Sequence, residues 1–179
     1  MPYLITAVVL ALALGMLNLL LLLAVIRRLR EHTAMLAGRS SDDDPGLIKA
    51  GDAPADFSAT DTDGRPVRRQ DLTGDVLVAF FSPNCPACTE ALPRFVEHAA
   101  AFPGGRQQVL AVVSGDEPEV PAMAGLLTSV ARVVLDGVDG SLARAFEVHA
   151  FPCWCLLDPT GTVQRSGSGW SLLPVPAPA

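Results

Sequence analysis

Phe80-Phe81-Ser82-Pro83-Asn84-Cys85-Pro86-Ala87-Cys88 is the stretch on which the reading of this chain turns. It closes an apolar run, Val76 to Phe81, of the length and composition of a buried strand. Pro83 and Asn84 then mark a turn. Helix-forming residues follow from Thr89, so two thiols sit where a strand hands over to a helix. Pro86 suits the first helical position, where a missing N–H costs nothing, and this makes Cys85 the N-cap. Its side chain is then expected to face the unsatisfied amides of the first turn, which favour a negative sulfur. Cys88 lies one turn along the same face. That spacing brings two Cα atoms to about 5–6 Å, inside the window of a disulfide. A thiol that attacks and a thiol that resolves are the minimal equipment for disulfide exchange.

Working outward, the chain reads as strand–helix alternation closed by a hairpin. Gly51 to Phe57 leads into a short strand, Asp61-Thr62-Asp63-Gly64 turns it, and Val67-Arg68 return. Gln70 to Asp75 is a loop or helical turn, and Val76 to Phe81 is the first central strand. The Cys85 helix runs to about Ala101 with Pro93 inside it, a kinking residue. Gln108 to Ser114 is a second central strand, Glu119 to Thr128 a helix, Arg132 to Leu135 a short strand. Asp139 to Phe146 is a helix capped by Asp139. Cys153 to Leu157 is a strand that turns through Asp158-Pro159-Thr160-Gly161 into Thr162 to Ser166. The pattern describes an α/β domain with a central mixed sheet flanked by helices.

The domain boundaries follow from composition. Leu4 to Ile26 is apolar except for Thr6, Gly15 and Asn18, and as a helix spans roughly 34 Å, enough for a bilayer core. No Lys or Arg precedes it and no clean small-residue cleavage site follows, so residues 1–28 read as an uncleaved transmembrane anchor. Residues 29–46 are a polar, acidic linker, 47–170 the folded domain, and 171–179 a proline-rich tail. Arg27, Arg28 and Arg30 argue for a cytoplasmic domain by the positive-inside rule. The net charge of -6, with no basic block in the soluble part, argues against a nucleic-acid partner. Four cysteines in two tight pairs are local dithiols rather than a disulfide framework.

Taken together, the apolar strand, Cys85-Pro86-Ala87-Cys88, Pro93 five residues after the second Cys, and the distant Phe151-Pro152 and Asp158-Pro159-Thr160-Gly161 resemble the thioredoxin-like superfamily. The resemblance covers residues 47–166. With the anchor, the basic stretch and Ser82-Pro83-Asn84-Cys85-Pro86-Ala87-Cys88, the chain is similar to membrane-anchored redoxins of the methylamine-utilisation protein D type. What this implies is a thiol–disulfide oxidoreductase with Cys85, Cys88 and Pro152 as catalytic residues. Pro152 would be cis against the dithiol, and Phe151, Pro86 and Ala87 would meet a protein dithiol or disulfide substrate. No cofactor or metal is implied, and the electron-donating or -accepting partner is unspecified. A role in maturing a partner redox enzyme, and a domain on the outer face of the cytoplasmic membrane, are implied against the arginine signal.

Three departures stand out. Ala79, six before Cys85, occupies the place of the buried acid that in thioredoxins helps deprotonate the second sulfur. After Ser166 the usual last helix is missing, which would leave one sheet face partly bare. Cys153 and Cys155 directly after Pro152 are unusual. On a strand they share a face, too far apart for an easy disulfide, and read first as packing residues. A second redox pair, or joint tetrahedral metal binding with Cys85 and Cys88, is the alternative. His149, two before Phe151, is a candidate neighbour of the dithiol, whereas His98 is expected exposed. Two rival functions remain. A peroxiredoxin-like peroxide reductase requires Pro-x-x-x-Thr/Ser-x-x-Cys, absent around both Cys85 and Cys88. A thiol-based metal-binding or assembly factor would use all four cysteines.

Overall fold

Five strands build the centre of the folded domain. The computed structural model describes residues 47–137 and 139–169, with Tyr3 and Met16. The rest of the anchor, the linker, Trp170 and the tail lie outside the described residues. Among those that are described, no helix is long and apolar enough to cross a membrane. The elements run β1 (Ser58–Thr60), β2 (Pro66–Arg68), β3 (Val76–Phe81), α1 (Pro86–Ala100), β4 (Val109–Ser114), α2 (Val120–Leu127), β5 (Arg132–Asp136), α3 (Ser141–Ala145), β6 (Cys153–Leu157) and β7 (Val163–Ser168). The sheet order is β5-β4-β3-β6-β7. β3, β4 and β5 are parallel, β6 runs antiparallel to β3, and β7 runs antiparallel to β6 and so in the direction of β3.

β3 and β4 are buried along their whole length, because both faces of the sheet are covered. Val76, Val78 and Phe80 point to one face, where the β1–β2 hairpin, α3 and Phe146 pack. Leu77, Ala79 and Phe81 point to the other, against Cys88, Leu92 and Phe95 of α1 and Met123 and Leu127 of α2. Phe81 and Phe95 meet edge to face at 5.1 Å. Trp154 is fully buried on this second face, its indole N–H donating to the Gly169 carbonyl at 2.9 Å. The bareness expected there therefore does not reach Trp154, although Leu156 is only half-buried.

Differences from the sequence expectation have local causes. β4 begins at Val109 rather than Gln108, because Gly104 takes a left-handed conformation and Gly105–Gln108 wind into a 3-10 turn first. The hairpin turn forms as expected, with Asp61 Oδ1 accepting from the amides of Asp63 and Arg65. It also docks on the edge of β5, where Thr62 N–H donates to the Val133 carbonyl at 2.8 Å. The helix expected over Asp139 to Phe146 is only Ser141–Ala145, and Asp139 does not cap it. Gly140 is the N-cap, and the capping carboxylate comes from Asp136 at the end of β5. Asp136 accepts from Ser141, Leu142 and Ala143 at 3.0–3.1 Å. A Cβ at Gly140 would strike that carboxylate, which is why the N-cap has no side chain. Asp136→Ala strands three amides, two of them buried, and is expected to cost about 3 kcal/mol, read as a lower urea midpoint at unchanged m-value. Asp136→Asn should recover part of the loss.

Candidate active site

The dithiol is assembled from the end of β3, the head of α1 and the start of β6. β3 stops at Phe81, and Ser82–Cys85 form a β-turn with Pro83 second and Cys85 N–H donating to the Ser82 carbonyl at 3.2 Å. Cys85 is the N-cap of α1 in extended conformation, with Pro86 at N1. Cys88 N–H closes the first turn on the Cys85 carbonyl at 3.0 Å. Pro93 is accommodated inside the helix.

The two sulfurs occupy different surroundings. Cys85 is half-buried and Cys88 is fully buried, and both are free thiols. The Cys85 thiol donates to the Phe151 carbonyl at 3.3 Å. It makes no capping bond to the first-turn amides, contrary to expectation. An S–H donor needs an acceptor, and the Phe151 carbonyl supplies one that the first-turn N–H groups cannot. Burial pushes the Cys88 thiol up to about 12 from its ordinary value near 9, and Cys85 beside it adds to the rise. The Ser82 N–H, 3.4 Å from the Cys88 sulfur, works against that rise. Beneath Cys88 the wall is apolar, since Ala79 is buried and stands opposite Trp154 in the β3–β6 register.

Phe151-Pro152 is a cis peptide, and Pro152 is buried while Phe151 is half-exposed. Pro86 and Ala87 are exposed beside Cys85, open to an incoming chain. Four of the expected site residues, Cys85, Cys88, Phe151 and Pro152, thus come together. Cys153 and Cys155 do not join them. Both are buried in the core layer on the face of the sheet opposite Cys88. Burial raises the Cys155 thiol far above its ordinary range, as befits an inert packing thiol. Among the described residues no three His, Cys, Asp or Glu side chains converge on a metal position. The four-thiolate alternative fails because the sheet separates the two pairs. His149 is exposed and borders Asp139, Arg144 and Glu147 rather than the dithiol. His98, expected exposed, is half-buried with Nε2 shielded, and desolvation lowers its pKa.

Sequence reasoning passed over Asn84 and Glu117. The Asn84 side-chain amide donates to the Glu117 carboxylate, which sits in the loop after β4. The available signal was topological: adjacent parallel strands deliver their following loops to the same end of a sheet.

The AhpC/TSA family profile matches residues 50–166. The chain belongs to the AhpC/TSA family. No curated protein matches it significantly. Among solved structures, this AhpC/TSA chain resembles the thioredoxin domain of a thiol-disulfide oxidoreductase from Bacteroides vulgatus, with a TM-score of 0.56, 19% identity, and coverage of 69% of this chain and 91% of that one. It also resembles the exposed lipoprotein thioredoxin of Streptococcus pneumoniae, with a TM-score of 0.52, 24% identity, and coverage of 65% and 90%. MTB DsbF, solved in mixed oxidised and reduced forms, gives 0.51, 28% identity, and coverage of 63% and 84%. The fold is thioredoxin-like, an α/β architecture with a mixed sheet.

Proposed function

We propose that this AhpC/TSA chain is a membrane-anchored thiol–disulfide oxidoreductase acting on protein substrates through Cys85 and Cys88. The observation that supports this most directly is the asymmetry of the pair: a half-exposed sulfur at a helix head touching the Phe151 carbonyl, and a buried one behind it. Cys85, as thiolate, attacks one sulfur of a substrate disulfide, forming a mixed disulfide and releasing the other sulfur as thiolate. Cys88, as thiolate, then attacks the Cys85 sulfur and expels the substrate's second thiolate. Two electrons pass from the dithiol to the substrate, and Cys85–Cys88 ends oxidised. A dithiol donor returns it to the start, and the reverse cycle donates a disulfide with the same atoms.

The reading extends to the finer features of the sequence. The anchor and the Ser-Pro-x-Cys-Pro-x-Cys segment support a branch like methylamine-utilisation protein D, and with it maturation of a partner redox enzyme. The domain is proposed to face outward, where disulfides persist. An alkaline-phosphatase fusion after Gly46 is expected to be active, and an inactive fusion places the domain in the cytoplasm. The activity is tested by insulin reduction with dithiothreitol as donor, alongside peroxide consumption. Reduction of insulin without Cys85-dependent peroxide consumption supports the proposal. The opposite pair of results identifies a peroxide reductase instead.

A further inference from the structure

β3 and β4 are parallel neighbours, with Phe81 registered on Val113 near their ends, so the loops that follow them emerge side by side. One loop carries the dithiol and the other carries Gly115-Asp116-Glu117. Glu117 Oε1 accepts from Asn84 Nδ2 across this gap. The other oxygen, Oε2, is shielded from solvent and has no hydrogen-bond partner. An oxygen left unsatisfied in this way is costly, and the arrangement that keeps it there is built in. Gly115 has φ +150, and a Cβ on it would strike Glu117 Oε2 and press Val120 at 3.4 Å. The missing side chain is what lets the carboxylate fold back and reach Asn84.

Asn84 is the third residue of the Ser82–Cys85 turn, and that turn sets both sulfurs. Its first residue gives the N–H that meets the Cys88 sulfur, and its last residue is Cys85 itself, held against Phe151. Apart from the Cys85-to-Ser82 backbone bond, the Glu117 contact is, among the described residues, the tie at the exposed tip of the turn. We propose that Glu117 is a positioning residue of the dithiol, acting through Asn84 to fix the turn that places Cys85 and the Ser82 N–H. This rests on the dithiol reading above, and it concerns geometry rather than the charge of the carboxylate.

The test measures the alkylation rate of Cys85 by iodoacetamide in the full-length reduced chain, with the thermal midpoint recorded in parallel. Neither requires a substrate, so the result stands apart from insulin turnover. Glu117→Ala and Asn84→Ala are each expected to slow Cys85 alkylation about fivefold, the value of one net hydrogen bond. The double variant should be no slower than either single one, because both remove the same tie. Glu117→Gln keeps an acceptor for Asn84 and should return the rate to within about twofold of wild type. A wild-type alkylation rate in Glu117→Ala overturns the proposal, whatever happens to the midpoint. Additive losses in the double variant, or no rescue by Gln, overturn it too. A wild-type protein whose Cys85 alkylates no faster than free cysteine removes the dithiol reading itself, and that result is seen before any variant is compared.

Discussion

Insulin reduction by the full-length chain is expected to fall to the uncatalysed rate in Cys85→Ser, while Cys88→Ser is expected to stall after one bond has formed and to accumulate a covalent mixed disulfide. The asymmetry follows from the surroundings of the two sulfurs. Cys85 is the more accessible of the two, flanked by exposed Pro86 and Ala87 and by the half-exposed Phe151. Cys88 is sealed beneath it against Ala79, Phe81 and Phe95. A serine at Cys85 keeps the shape and the donor to the Phe151 carbonyl but removes the nucleophile. A serine at Cys88 leaves the nucleophile and removes only the resolving group. Non-reducing electrophoresis, followed by mass analysis of the trapped species, checks the second outcome. Equal trapping in Cys85→Ser would mean that the sulfurs have exchanged roles. Full insulin reduction in Cys85→Ser would remove the dithiol from the chemistry altogether.

The parts of this site that could be read beforehand are those where one local rule decides. Val76–Phe81 had to be a strand because six apolar residues end at a proline-bearing turn, and its limits in the structure are the same six residues. Pro86 at N1 fixed Cys85 as N-cap for an equally local reason. The direction of the Cys85 sulfur was not legible, because the acceptor that turns it away from the helix amides belongs to Phe151, 66 residues on. Asp136 was missed as the cap of α3 for a similar cause. It lies at the end of a strand, five residues before the first amide it accepts, and Asp139 offered the nearer choice. The Asn84–Glu117 pair spans 33 residues and exists only once β3 and β4 are laid side by side. Burial of Cys153 and Cys155 was readable as packing. Their separation from Cys88 needed the register, which puts Cys155 opposite Val78 and Trp154 opposite Ala79, so the cysteines and the tryptophan point to opposite faces.

Resolution by Cys88 is expected to be the pH-sensitive step, its rate constant rising about tenfold per pH unit upward from neutrality. With the thiol pushed up to about 12 in the free dithiol, very little Cys88 is ionised at neutral pH. Raising a thiol from near 9 to about 12 lowers the thiolate fraction about a thousandfold but makes each thiolate a better nucleophile. With a Brønsted slope of about 0.4–0.5 the net penalty at neutral pH is roughly fifty-fold. Part of it lifts during the reaction. Once Cys85 is bonded to substrate its contribution to the rise is gone, and burial, opposed by the Ser82 N–H, is what remains. The profile should therefore begin to level below 12, not at it. Stopped-flow mixing of the reduced chain with a disulfide substrate, acid-quenched and read for the mixed disulfide, measures this step directly. A flat profile between pH 7 and 9 would mean that some other group takes the proton. Ala79→Asp supplies a competing base from the layer that packs on Cys88, and should raise the neutral-pH rate and flatten the profile. The same change buries a carboxyl among Cys88, Phe81 and Trp154, at a cost of about 2–7 kcal/mol even when protonated. If that variant folds and its resolution still climbs tenfold per unit, the apolar wall under Cys88 is not what holds the step back.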